Sequence, residues 1–138
     1  MMMILLLIFV ITMSVDALST TTSVFVNDAA HCYRIPSVVQ TSDGTVVAFA
    51  ESRDGSCSDG AARAIAMKRS TDGGKTFDEN VTIAVGNETY WVGNPAVVYT
   101  KSGRIVLVYV KHKKGCVGDC GTGNGVVFSD DQDLERTS

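Results

Sequence analysis

Two turn signals in this sequence recur at one interval. The polar segment Ser70-Thr71-Asp72-Gly73-Gly74-Lys75-Thr76-Phe77 has a weaker copy, Ser129-Asp130-Asp131-Gln132-Asp133, with Ser and Asp again two positions apart and an offset of 59 residues. The same offset relates Pro36-Ser37-Val38-Val39-Gln40-Thr41-Ser42-Asp43-Gly44 to Pro95-Ala96-Val97-Val98-Tyr99-Thr100-Lys101-Ser102-Gly103. β-Hairpins repeated at a fixed interval of tens of residues mark a solenoid or propeller, whose units cannot bury their faces alone and stack on their neighbours. The chain holds about two such units. Closing a propeller ring takes roughly four to eight blades, so the expectation is the amino-terminal part of a longer protein.

Each residue of the first turn has a mechanical use. Asp72 and Ser70 have short side chains that can bond nearby amides, Gly73 and Gly74 can take positive φ, and Phe77 can fold back onto the sheet beneath. Strands are expected at 23–26, 36–41, 45–50, 62–69 and 82–85, and again at 94–100, 105–110 and 125–129, giving blades over 24–80 and 82–138. Val46-Val47-Ala48-Phe49-Ala50 is apolar at every position, which suits a strand covered on both faces. No stretch carries a helical period, so the fold class is all-β. The polar loop 53–60 interrupts the first unit, and in repeat proteins such insertions gather on one face, often the binding face.

Residues 1–11 are all apolar, and Val15 and Ala17 occupy the small-residue positions of a cleavage site. Spanning a membrane needs roughly 20 apolar residues, so 1–17 reads as a secretory signal peptide, with 18–138 as the mature segment and no membrane span after cleavage. The expected location is secreted or lumenal, the lysosome included. All four cysteines lie beyond the signal, where an oxidising compartment favours disulfides, and three pairings are possible. Cys116 and Cys120 enclose three residues of a glycine-rich loop, so a local bridge there would leave Cys32 with Cys57. No histidine sits at zinc-ligand spacing from either pair. Asn80-Val81-Thr82 and Asn87-Glu88-Thr89 are glycosylation sequons. A formal charge of −3 gives no electrostatic case for nucleic acid.

Arg34 stands immediately before Pro36's strand, and Arg53 ends the next strand of the same hairpin, so both guanidinium groups emerge at one end of the unit. Two cations there could grip a carboxylate through bidentate hydrogen bonds. The plainer alternative pairs each with a structural carboxylate such as Glu51 or Asp54. Asp59, six residues after Arg53, is a candidate general acid or base or else a solvated turn residue. Trp91 and Asn94 fall, by the repeat offset, near the position of Arg34 and are expected at the same end. His31 and His112 are weak candidates, the latter within a solvated basic loop, Lys111-His112-Lys113-Lys114.

Tyr33-Arg34-Ile35-Pro36, then Glu51-Ser52-Arg53, then the turn Ser70 to Phe77 resemble, in order and spacing, the opening of the sialidase (neuraminidase) family over about 24–131. The turn motif, called the Asp box, also occurs in unrelated propellers. The resemblance implies a six-bladed β-propeller, of which this chain supplies about two blades, with the active site at the central face. It implies an exo-α-sialidase that needs no cofactor and removes terminal sialic acid from sialylated glycoproteins or glycolipids. Arg34 then resembles the first of the family arginines that clamp the sialic acid carboxylate, Arg53 the arginine near the sugar O4, and Asp59 the general acid/base. Asn94 sits where the family contacts O4 or the acetamido group, and Ser70, Asp72, Gly74 and Phe77 resemble the structural Asp box. Tyr33, Tyr90, Tyr99 and Tyr109 match no family nucleophile, Asp133 replaces the second box's glycine, and 134–138 lack its closing aromatic. The chain alone is therefore expected to be inactive. The alternative from another class is a non-catalytic, secreted Asp-box propeller protein that binds glycans or proteins.

Overall fold

The structure, a computed structural model, describes residues 21–115 and the strand at 124–130. The expected signal peptide, Cys116 and Cys120, and most of the second turn copy lie outside the described residues. Seven strands form two antiparallel sheets in simple sequential order. The first contains β1 (His31–Gln40), β2 (Val46–Asp54), β3 (Ala62–Ser70) and β4 (Val81–Val85); the second contains β5 (Tyr90–Tyr99), β6 (Arg104–Lys113) and β7 (Asn124–Asp130). The described residues include no α-helix, only one 3-10 turn at Asp59–Ala61, and no helix among them is long and apolar enough to cross a membrane.

The two units share their hairpin chemistry. In the β1–β2 turn the Thr41 amide donates to the Thr45 carbonyl and the Gly44 amide to Thr41 O, while Asp43 accepts from the Thr45 amide and the Thr41 hydroxyl. The β5–β6 turn repeats this, with Thr100 N donating to Arg104 O at 2.8 Å and Gly103 N to Thr100 O at 3.1 Å. Ser102 takes the place of Asp43 and meets the Thr100 hydroxyl at 2.9 Å. Gly44 and Gly103 both need positive φ, 91° and 84°, which a residue with a Cβ resists.

The sheets pack face to face on one apolar cluster. Val47, Phe49, Ile65 and Met67 come from the first sheet, and Val92, Ile105, Leu107 and Tyr109 from the second. Alternation along a strand explains the selection, since i and i+2 share a face. Along β2 that inner stripe continues past Val47 and Phe49 to Glu51 and Arg53, so the interface is apolar at one end and ionic at the other. Ala48, Ala50 and Ser52 are also buried, so β2 is covered on both sides, in line with its unbroken apolar run.

A one-residue bulge decides what β1 presents. Its pairing with β2 runs Ser37 opposite Phe49 but Arg34 opposite Glu51, one extra residue on β1. The slip exchanges inner and outer faces. Without it Ile35 and Tyr33 would continue the inner stripe; with it Arg34 and Cys32 do. β5 carries the same bulge at the same repeat position, between Gly93 and Ala96. Ile35 and Asn94, the equivalent residues of the two bulges, both have φ of 52°.

Two expectations need correction. No strand occupies 23–26; that segment lies over the sheet through side chains, with the Phe25 ring 5.2 Å from that of Tyr33. Lys111, His112 and Lys113 are not loop but the end of β6, paired with Val92, Trp91 and Tyr90. Aromatic cover makes a charged run tolerable there: Trp91 stacks on His112 at 4.4 Å, and the Lys111 ammonium lies 5.3 Å from the Tyr90 ring centroid.

Candidate functional site

The ionic end of the interface brings Arg34, Glu51, Arg53 and Asp59 together. Arg53 is the centre. Its side chain is 3% exposed, and its Nε and Nη2 donate to Glu51 Oε2 at 2.8 and 2.6 Å. Its Nη1 donates to the Cys57 carbonyl at 2.7 Å and to Asp59 Oδ1 at 2.9 Å. Burial acts to lower the Arg53 pKa, but the bonds to Glu51 and Asp59 outweigh it and hold the group above its ordinary value, so it is a permanent cation.

Arg34 approaches the same loop from the neighbouring strand. Its Nη1 donates to the Cys57 carbonyl at 3.2 Å and lies 3.5 Å from Asp59 Oδ1. With its side chain 47% exposed against 88% for Asp59, this part of the cluster faces solvent. The arrangement has a fixed, buried cation beneath a half-exposed one, with a solvent-facing carboxylate bridging both.

Glu51 ties the sheets at this point. Its side chain is 3% exposed, Oε2 takes both Arg53 bonds, and Oε1 accepts the Asn94 amide of β5 at 2.7 Å. The β5 bulge makes this possible, because it turns that amide toward the first sheet. Gly93 is required beside it: a Cβ there would overlap Glu51 Oε1 and stand 3.1 Å from its Cδ. Of the two carboxylates the plainer sequence alternative named, Glu51 pairs with Arg53 and Asp54 lies 3.5 Å from Arg63, while the carboxylate beside Arg34 is Asp59.

The loop carrying Asp59 is fastened by a disulfide between Cys32 and Cys57, with Cα atoms 5.3 Å apart. Cys32 is buried on the inner face of β1, opposite Arg53. Asn94 has an exposed side chain beside the cluster. Trp91 is on the other face of β5 against His112. His31 lies 3.3 Å from Asp28 and stacks on Tyr33, outside the cluster.

The turn after β3 is built from its own side chains. Asp72 accepts from the Ser70 hydroxyl at 2.7 Å, the Lys75 amide at 2.9 Å, the Thr76 amide at 3.0 Å and the Thr76 hydroxyl at 2.6 Å. Ser70, itself buried, accepts the Gly74 amide at 2.8 Å. The Thr76 hydroxyl first, then its amide and the Ser70 hydroxyl, hold the Asp72 carboxyl far below its ordinary value. Gly73 and Gly74 have φ of 75° and 88°, and Phe77 is half-buried. Both sequon asparagines are exposed; Asn80 Nδ2 donates to the Tyr33 hydroxyl at 3.0 Å, and Asn87 Oδ1 accepts from the Thr89 and Tyr90 amides.

Sequence reasoning gave Glu51 only a generic role as partner. The signal for more was its place two residues before Arg53 on a strand, which puts both on one face. No protein-family model matches the chain. Among curated proteins, a sialidase of Clostridium perfringens is 37% identical over 79 residues, a match covering 55% of this chain and 21% of that relative. The chain therefore spans a minor part of that relative's length. Among solved structures, a Dyadobacter fermentans protein of unknown function aligns with TM-score 0.46 and 20% identity over 73% of this chain and 28% of that one.

Proposed function

We propose that this chain carries the first part of a sialidase site, built on blades of a six-bladed propeller and directed at terminal sialic acid of glycoproteins or glycolipids. The observation that carries the reading is the convergence of Arg34, Arg53 and Asp59 on one solvent-facing point. The partial likeness to the Clostridium perfringens sialidase agrees with it.

In this reading Arg34, half-exposed, exchanges its contacts with Cys57 O and Asp59 for the carboxylate of the sugar. Arg53 stays fixed by Glu51 and, with Asn94, meets the O4 side of the ring. Asp59, freed from its ion pairs, gives its proton to the glycosidic oxygen as the bond to the anomeric carbon breaks, and later takes a proton from the attacking water. Because the anomeric carbon bears a carboxylate, an anionic nucleophile would meet like-charge repulsion, and sialidases are exceptions among glycosidases in using a tyrosine. The described tyrosines are engaged elsewhere: Tyr33 with Asn80, Tyr99 with Ser42, Tyr90 beneath Lys111 and Tyr109 in the core. Substrate binding, rather than turnover, is thus the property to measure on this chain. Residues 1–17 as a secretory signal and sugars on Asn80 and Asn87 complete the proposal.

The test is a titration of the chain with sialic acid, followed by nuclear magnetic resonance, beside hydrolysis of a fluorogenic sialoside. Binding that disappears in Arg34→Ala supports the reading. Equal binding by Arg34→Ala, or no binding by the unaltered chain, removes it.

A further inference from the structure

The β2–β3 loop is held over the site mainly by the groups that a ligand would occupy. Arg34 and Arg53 both donate to the Cys57 carbonyl, and both engage Asp59. The loop's other bonds lie at its start or within itself: Gly55 N to Ala30 O at 2.8 Å, Ser58 N to Ser56 Oγ at 3.1 Å and Ala61 N to Ser58 O at 3.1 Å. An anion that engages the arginines therefore competes with the loop's own anchors. Among the described contacts, the Cys32–Cys57 bond is what fastens the middle of the loop without passing through an arginine.

Its placement fits that task. Cys32 is two residues before Arg34 and opposite Arg53, and Cys57 is two residues before Asp59. Cys32 is 5% exposed, whereas Cys57 is exposed, so a reductant reaches the bond from the loop side. The apolar cluster between the sheets contains neither cysteine.

We propose that the Cys32–Cys57 disulfide is a redox-sensitive latch that holds Asp59 over Arg34 and Arg53. In the oxidised chain the arginine–aspartate cluster is locked closed; in the reduced chain the arginine bonds alone hold the loop, so it opens more often while both sheets remain. A dithiol supplies the electrons. Its thiolate attacks the Cys57 sulfur, the sulfur–sulfur bond breaks to release Cys32 as a thiol, and its second thiol resolves the mixed disulfide. Cys57 then leaves as a thiol and the dithiol as its own cyclic disulfide. The cluster is locked closed in an oxidising compartment and opens more often in a reducing one. This inference rests on loop geometry and holds whatever anion the arginines take.

The experiment is amide hydrogen exchange on the full chain, oxidised and dithiol-reduced, together with the Cys32→Ala/Cys57→Ala double variant, which leaves Cys116 and Cys120 in place. The expected result, in both the reduced chain and the variant, is exchange at Ser58 and Ala61 faster by at least about tenfold, with Phe49 and Met67 amides unchanged. The Arg53 Nε proton, bonded to Glu51 rather than to the loop, keeps its protection. Unchanged loop exchange overturns the proposal, as does a change on reduction that the double variant lacks. Joint loss of protection in loop and core also overturns it, since the bond would then be a staple for the whole fold.

Discussion

Replacing Glu51 with Ala tests the buried end of the interface most directly. The substitution removes the acceptor of two Arg53 bonds and of the Asn94 amide, and leaves a guanidinium that is 3% exposed without its main partner. Breaking a buried pair from one side costs about 3–5 kcal/mol. Arg53 retains the Cys57 carbonyl and Asp59, but the Asp59 side chain is 88% exposed and its charge is well screened, so the expected loss is about 3 kcal/mol. With a urea slope of about 1–3 kcal/mol/M for a small domain, the unfolding midpoint falls by roughly 1–3 M. The double variant Glu51→Leu/Arg53→Leu removes both charges and is expected to recover most of the loss, because an apolar pair needs no counter-charge. A single-variant cost below about 1 kcal/mol, the range of a surface ion pair, would refute this reasoning. So would a double variant destabilised by the sum of its two single changes.

Gly93→Ala places a Cβ against Glu51 and is expected to cost about 1–3 kcal/mol by overpacking, read as a lower thermal midpoint; a neutral result would mean that Glu51 is free to move aside. Ile35→Asn should stabilise by up to about 1 kcal/mol, since a β-branched residue is strained at φ of 52° and asparagine tolerates that region, as Asn94 does; destabilisation in denaturant titration would count against a strained bulge. The Asp72 carboxyl is depressed in the folded chain, so its contribution is complete above the unfolded value of 3.8 and is lost as pH falls through the lower folded value. Between about pH 5 and pH 2 the Asp72→Asn chain should therefore lose less of its thermal midpoint than the unaltered chain, though Asp28 and Asp43, also depressed, keep some slope in both. Parallel curves would show that the Asp72 bonds do not persist in solution.

The hairpins, the doubly covered β2 strand and the turn after β3 were legible because local chemistry writes them: turn residues at fixed offsets, an unbroken apolar run, short acceptors beside glycines. The Cys32–Cys57 pairing followed from the proximity of the other two cysteines. The bulges were harder. Strict alternation along β1 places Tyr33 and Ile35 on the inner face, and only the proline after Ile35 and after Asn94 hints that the register slips there. The basic end of β6 is not legible from charge alone, because the aromatic residues it meets, Trp91 and Tyr90, come from the neighbouring strand. The three-dimensional role of Glu51 was hidden for a similar reason. Its decisive partner, the Asn94 amide, is 43 positions away and belongs to the backbone, which carries no signal in residue type.

The repeat explains why the cluster stands where it does. A bulge at the same position in both units gives each sheet one turned-out backbone segment at the same end. In the first unit that segment presents Arg34 beside Asp59, and in the second it presents the Asn94 amide to Glu51, so one device places a half-exposed cation in one unit and an anchor between the sheets in the other. Glu51 and Arg53, continuing the stripe begun by Val47 and Phe49, fill the gap between them. An interface apolar along its whole length would pack as firmly but would leave no charge at the solvent end. Ending the stripe with a buried carboxylate and guanidinium instead fixes Arg53 in place through its two bonds to Glu51, so no ordering of that side chain is left to be done.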